Sequence, residues 1–196
     1  MATSRENKTI SQFKSALIGG GARPNLFEVE LASLPGGIEW DADIFRYMCK
    51  AAQLPAQNIA SIDIPFRGRI FKVAGDRTID TWTVTIINDE DFRIRNAFEQ
   101  WTQLIAKLDN NLGATSPEAY MVNAKVFQLG RGASKASQDS NGDTNAVLKE
   151  YEFVDIFPTT VGDIALSYDT GDTIEEFDVE FQVQSYNLIA SGTPNG

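Results

Sequence analysis

Histidine is absent from all 196 residues, and cysteine occurs once, as Cys49. The first absence removes the one side chain that changes charge near neutral pH unaided, and with it Ser-His and Cys-His dyads and the commonest metal ligand. The second excludes an intramolecular disulfide and a Cys-rich zinc cluster, which fits assembly in a reducing compartment. Basic charge is also scarce: 17 Lys and Arg stand against 27 Asp and Glu, a formal net charge of −10. Clamping nucleic acid needs clustered cations, so that class is disfavoured, although a surface that DNA slides past is not. No apolar run approaches membrane-spanning length, and the opening "MATSRENKTISQF" lacks the apolar centre of a signal peptide. A soluble protein made in the cytosol is expected, with any enzyme chemistry left to carboxylates, Lys or Tyr.

What is present is mostly strand. With 42% hydrophobic residues, the chain is long enough to bury one sizeable core. In "EEFDVEFQVQ", residues 175–184, Phe177, Val179, Phe181 and Val183 alternate with Asp178, Glu180 and Gln182, the period of a half-buried strand. "NLFEVEL" repeats the pattern, with Phe27, Val29 and Leu31 on one side and Glu28 and Glu30 on the other. "TWTVTIIND", 81–89, is dense in β-branched and aromatic residues. "SIDIPFRGRIFKVAGDR" predicts two strands folded back at Arg67-Gly68, and Pro65 places that hairpin at a sheet edge or projecting from it. Residues 44–54 read as a strand, with a helix left open by the Ala pair, after a turn-rich stretch at 34–43. Further strands are expected at 119–129 and 146–157 and around "DIALSY", 163–168.

Two segments change period. Ile10, Phe13, Ala16 and Leu17 recur at helical spacing after Thr9, a plausible cap, although this stretch could equally be an arm. Over residues 90–108, Ile94, Ala97, Phe98, Trp101, Leu104, Ile105 and Leu108 make an apolar stripe, preceded by Asp89, Glu90 and Asp91 where acids favour a helix N-terminus.

Candidate chemistry is thin. Asp139, Asn141, Asp143 and Glu150 match positions 1, 3, 5 and 12 of a calcium loop, but Thr144 replaces the required Gly and strands flank it, so a solvated loop is the better reading. Asp76, Arg77 and Asp80 suit a structural ion pair or turn cap. Glu175/Glu176 and Glu150/Glu152 could share protons as glycosidase pairs do, yet a spacing of two puts Glu150 and Glu152 on one solvated strand face. Cys49, among apolar neighbours, reads as a core filler. No catalytic, cofactor-binding or metal site is expected.

Three stretches decide the family: "ARPNLFEVEL", "AGDRTIDTWTVTIINDED" running into "FEQW", and "FPTTVGDIALSYDTGDTIEEFDVEFQV". Together they resemble the tail tube proteins of contractile-tailed, T-even-like bacteriophages, in order over about residues 22–186. The resemblance implies a mainly β fold of two packed antiparallel sheets, barrel-like, with one flanking helix at about 90–108. It implies a virion protein assembled in the host cytoplasm, whose hexameric rings stack into the conduit for genome ejection. Expected partners are the chain itself, the tail sheath, baseplate, tape-measure and tail-terminator proteins, with DNA passing unbound, no membrane and no cofactor. A tube of a type VI-like secretion or phage-derived injection system shares the fold and is the alternative. Residues 1–21 are expected to be an extension or arm, 22–186 the tube domain and 187–196 a tail. Glu28, Glu30, Glu150, Glu152, Glu176, Asp178 and Glu180 are candidates to face the lumen, and Pro65, Phe66, Arg67, Gly68 and Arg69 to contact neighbouring subunits.

Overall fold

A computed structural model describes residues 9–17, 21–131 and 147–189. Three of the calcium-loop positions, Asp139, Asn141 and Asp143, and the tail from 190 onward lie outside the described residues. Among the described residues there are eight strands: β1 (Phe27–Glu30), β2 (Cys49–Gln53), β3 (Gln57–Phe66), β4 (Arg69–Ile79), β5 (Trp82–Ile87), β6 (Val122–Leu129), β7 (Val147–Val161) and β8 (Glu176–Ile189). The same residues hold three α-helices: α1 (Ile10–Ala16), α2 (Ala42–Met48) and α3 (Arg93–Ile105). Six strands make one nearly closed, barrel-like sheet in the order β1-β6-β7-β8-β5-β2, and β3 and β4 make a two-stranded sheet of their own. The mainly β, barrel-like expectation with a flanking helix therefore holds, and the second sheet is the long hairpin.

Contacts divide the chain into two compact units. The larger holds Val29–Lys125 and Tyr151–Leu188. Its centre is β8 against β5, antiparallel, with Phe181 opposite Trp82, Val179 opposite Val84 and Phe177 opposite Ile86. All six side chains are buried, because alternation sends them to the same face. α3 lays Ile94, Ala97, Phe98 and Trp101 into this core. Phe181 is the hub: its ring centroid lies 5.1 Å from Trp82, 5.8 Å from Phe98 and 6.0 Å from Trp101. Trp101 also donates its indole N–H to the Tyr120 carbonyl at 2.8 Å, so the ring's polar edge is satisfied.

The smaller unit contributes α1, residues 21–28 and the described parts of Val126–Glu150. α1 starts where expected, at Thr9, with a reciprocal capping box to Gln12. Leu129 N–H donates to the Leu26 carbonyl at 2.9 Å, and the Gln128 amide donates to the Arg23 and Leu26 carbonyls.

Three expectations need correction. Residues 44–48 belong to α2 rather than to a strand, since the Asp41 carboxylate caps the Asp43 and Ile44 amides; only from Cys49 does the chain become strand. α3 is shorter than 90–108. Phe92 takes the left-handed region at φ 53, Asp89 accepts the Arg93 amide, and the helix stops at Ala106, leaving Leu108 93% exposed. "DIALSY", expected as strand, lies in the irregular 162–175 segment, with Leu166 and Tyr168 bare.

That segment begins at a tight spot. A Cβ on Gly162 would stand 2.8 Å from the Asp178 carbonyl oxygen, which itself accepts the Gly162 amide at 2.7 Å. Backbone rather than a flexible side chain blocks the space. Gly162→Ala is therefore expected to destabilise the protein by about 1–3 kcal/mol in urea unfolding, as overpacking does; an unchanged midpoint would show that β8 yields freely.

Candidate functional site: an acidic sheet face and an exposed ribbon

The alternation that buries Phe177, Val179 and Phe181 turns Glu176, Asp178 and Glu180 to the other face of β8. Their cross-strand neighbours on β5 are Ile87, Thr85 and Thr83. The Thr85 hydroxyl donates to Asp178 at 2.7 Å, and Lys50 on β2 pairs with Glu176 at 2.5 Å. With Asp163, these carboxylates edge a shallow cleft of about 360 Å³ over Thr160 and Gly162. Glu30 flanks buried Val29 and lies 3.7 Å from Arg46. Glu28, Glu150 and Glu152 are half-buried on their strands. Glu175, paired in the sequence reading with Glu176, instead accepts the Asn88 amide at 3.0 Å and braces the strand end.

Arg95 holds the acidic strand to the helix, and sequence reasoning missed it. Its guanidinium stands 5.0 Å over the Phe177 ring, pairs with Glu99 at 2.8 Å and donates to the Gly162 carbonyl. An Arg four residues before a Glu on a helix was the only available signal.

The ribbon formed by β3 and β4 is exposed almost throughout. It turns where expected, with Arg67 at φ 45 and Gly68 at φ 84, the pair of positive values that a type I′ turn requires. Register puts Ile62 opposite Val73, Ile64 opposite Phe71 and Phe66 opposite Arg69, so these share a face; Asp63–Lys72, an ion pair at 3.6 Å, lies on the other. Ile62, Ile64, Phe66 and Phe71 are all bare, Phe66 to 66%. At the ribbon's base, Asp80 accepts the Asn58 side-chain amide at 2.9 Å, a hydrogen bond rather than the ion pair or turn cap expected of it.

Cys49 is buried, and its burial pushes the thiol up to about 12. A maleimide at pH 8 is expected to label it only after unfolding; fast labelling of the native protein would show that the site opens. Among the described residues, no group of three or more His, Cys, Asp or Glu is placed to hold a metal ion. No described helix is long and apolar enough to cross a membrane.

A two-faced barrel-like sheet that ends in β1 and β2, with an apolar ribbon left bare, defines a β subunit built to associate. Comparison with known proteins gives the family. The family model described as "Phage tail tube protein" matches residues 22–189, and the chain belongs to that family. Curated relatives include tail tube protein gp19 of Enterobacteria phage T4, 37% identical over 161 residues, which are 82% of this chain and 88% of the relative. The gp19 of phage T6 is 36% identical over the same span. Among solved structures, a chain of the anti-feeding prophage baseplate superposes with a TM-score of 0.61 at 9% identity, covering 87% of this chain and 96% of that one. A chain of the sheath–tube complex of an extracellular contractile injection system, PVC, reaches 0.55 at 12% identity, over 94% and 100% of the two chains. At such identities these structures share the fold alone. The protein is thus a tail tube protein, a structural component of the virion and not an enzyme.

Proposed function

We propose that the chain forms hexameric rings that stack into the tail tube, with the acidic face of β8 lining the channel through which the genome leaves. The single observation that carries this reading is the division of β8: Phe177, Val179, Phe181 and Val183 are buried, while Asp178 is exposed and Glu176 and Glu180 are partly so. Six copies would bring those carboxylates around one axis. Their repulsion of DNA phosphates persists over about 8 Å at physiological salt, so the genome meets a wall that does not hold it. Glu28, Glu30, Glu150 and Glu152 would extend the same wall.

The end strands β1 and β2 each have one neighbour in the sheet, and pairing them across copies would satisfy their outer N–H and C=O groups. Pro65–Arg69 at the ribbon tip would reach a neighbouring subunit. Residues 22–186 would form the tube domain, with 1–21 and 187–196 as an arm and a tail. Beyond itself, the tube would meet sheath, baseplate, tape-measure and terminator proteins. A type VI-like injection tube is the rival; the phage origin of both relatives above 30% identity favours the tail.

Negative-stain microscopy of the purified protein tests this directly. Hollow rods with sixfold end views are expected, and a protein that stays monomeric at every concentration contradicts it.

A further inference from the structure

The ribbon's charge does not match its body. Residues 57–79 carry four basic side chains, Arg67, Arg69, Lys72 and Arg77, against two acidic ones, in a chain with 27 acidic and 17 basic residues. Lys72 is taken by Asp63. Neither Arg67 nor Arg69 has a carboxylate partner among the described residues, and Arg67 instead lies 5.4 Å over the Phe66 ring. The tip is therefore an aromatic ring flanked by two unpaired guanidinium groups.

A matching receptor lies elsewhere on the same chain. The segment leading into α2 and the face of α3 enclose a cleft of about 470 Å³. Its apolar surfaces come from Trp40, Ile44, Ile94 and Ala97, and Glu39 and Asp43 stand among its lining residues with no cation paired to them among the described residues. Arg93, the one basic lining residue, is already engaged by Asp89 and Asp91 at 3.5 Å. The wall is preformed: Trp40 donates its indole N–H to the Leu31 carbonyl and packs its ring 5.0 Å from Phe45 and 5.6 Å from Phe98. A cleft that is part apolar, chiefly at Trp40 and Ile44, and part lined by free carboxylates suits a residue such as Phe flanked by Arg, by burial and by charge together.

We infer that the Phe66–Arg69 tip of one copy's ribbon seats in the α2–α3 cleft of a second copy. The inference rests on the tube reading. A knob and a socket at different places on one chain make a heterologous contact, which repeats into rings or open-ended stacks rather than closing a dimer. It also covers Phe66 and pairs both arginines with Glu39 and Asp43.

Two experiments test it. In full-length protein, Arg67→Asp with Arg69→Glu, and separately Glu39→Lys with Asp43→Lys, are expected to abolish long rods while leaving the melting temperature within a few degrees of the parent. The chain carrying all four substitutions is expected to regain rods. Independently, Arg69→Cys combined with Asp43→Cys is expected to give a ladder of covalent multimers on a denaturing gel after treatment of rods with a short bis-maleimide, and either single variant none. Rods that tolerate both charge reversals and give no ladder would overturn the docking while the tube reading stands. A parent protein that never forms rods would overturn the tube reading, and the docking with it.

Discussion

Phe181→Ala is expected to cost about 3–5 kcal/mol of folding stability, the range for emptying a large aromatic from a packed core. Phe181 is fully buried and touches Trp82 on β5 and both Phe98 and Trp101 on α3. Those partners are large rings fixed on separate elements, and they cannot collapse together into the space left behind. Urea unfolding of the unassembled protein measures the loss. Glu180→Ala, one residue away on the opposite face, is the control and is expected to stay within about 0.5 kcal/mol of the parent, as surface changes usually do. Similar losses for the two would mean that β8 has no inner and outer side.

Reversing the outer face is the second large effect. Asp178→Lys with Glu180→Lys changes two carboxylates per copy to cations and leaves the buried residues untouched; Glu176 keeps its Lys50 partner. Rods are expected to form and now to retain short duplex DNA, with binding that weakens as salt rises at a slope of about −0.9 per phosphate neutralised. Parent rods are expected to retain none. If the variant rods also released DNA freely, these carboxylates would have no part in the channel.

Much of the fold is legible in the sequence, for a physical reason. A strand with one buried face must alternate, so β5 and β8 showed themselves at Trp82–Ile87 and Phe177–Val183. The hairpin was equally plain, since Arg67-Gly68 is a turn that needs positive φ. α2 was not, because seven residues span barely two turns and their apolar positions fit either period. Its sign was Asp41, two residues before the first amide that it caps. The apolar stripe of α3 overran the real helix at Leu108, because a pattern of side chains carries no information about where the backbone stops. The cleft was invisible for a different reason. Glu39 and Ile94 lie far apart in sequence, and only the packing of Trp40 against Phe98 brings their segments together. The place of the acidic face in an assembly depends on other copies of the chain, and no single-chain pattern encodes it.

A cryo-EM reconstruction of the purified rods tests the central claim most directly. A sixfold ring is expected whose channel wall displays Glu176, Asp178 and Glu180, with Phe177, Val179 and Phe181 facing inward to each subunit's own core. A channel wall of Lys and Arg, with those three acidic residues on the tube's outer surface, would contradict it.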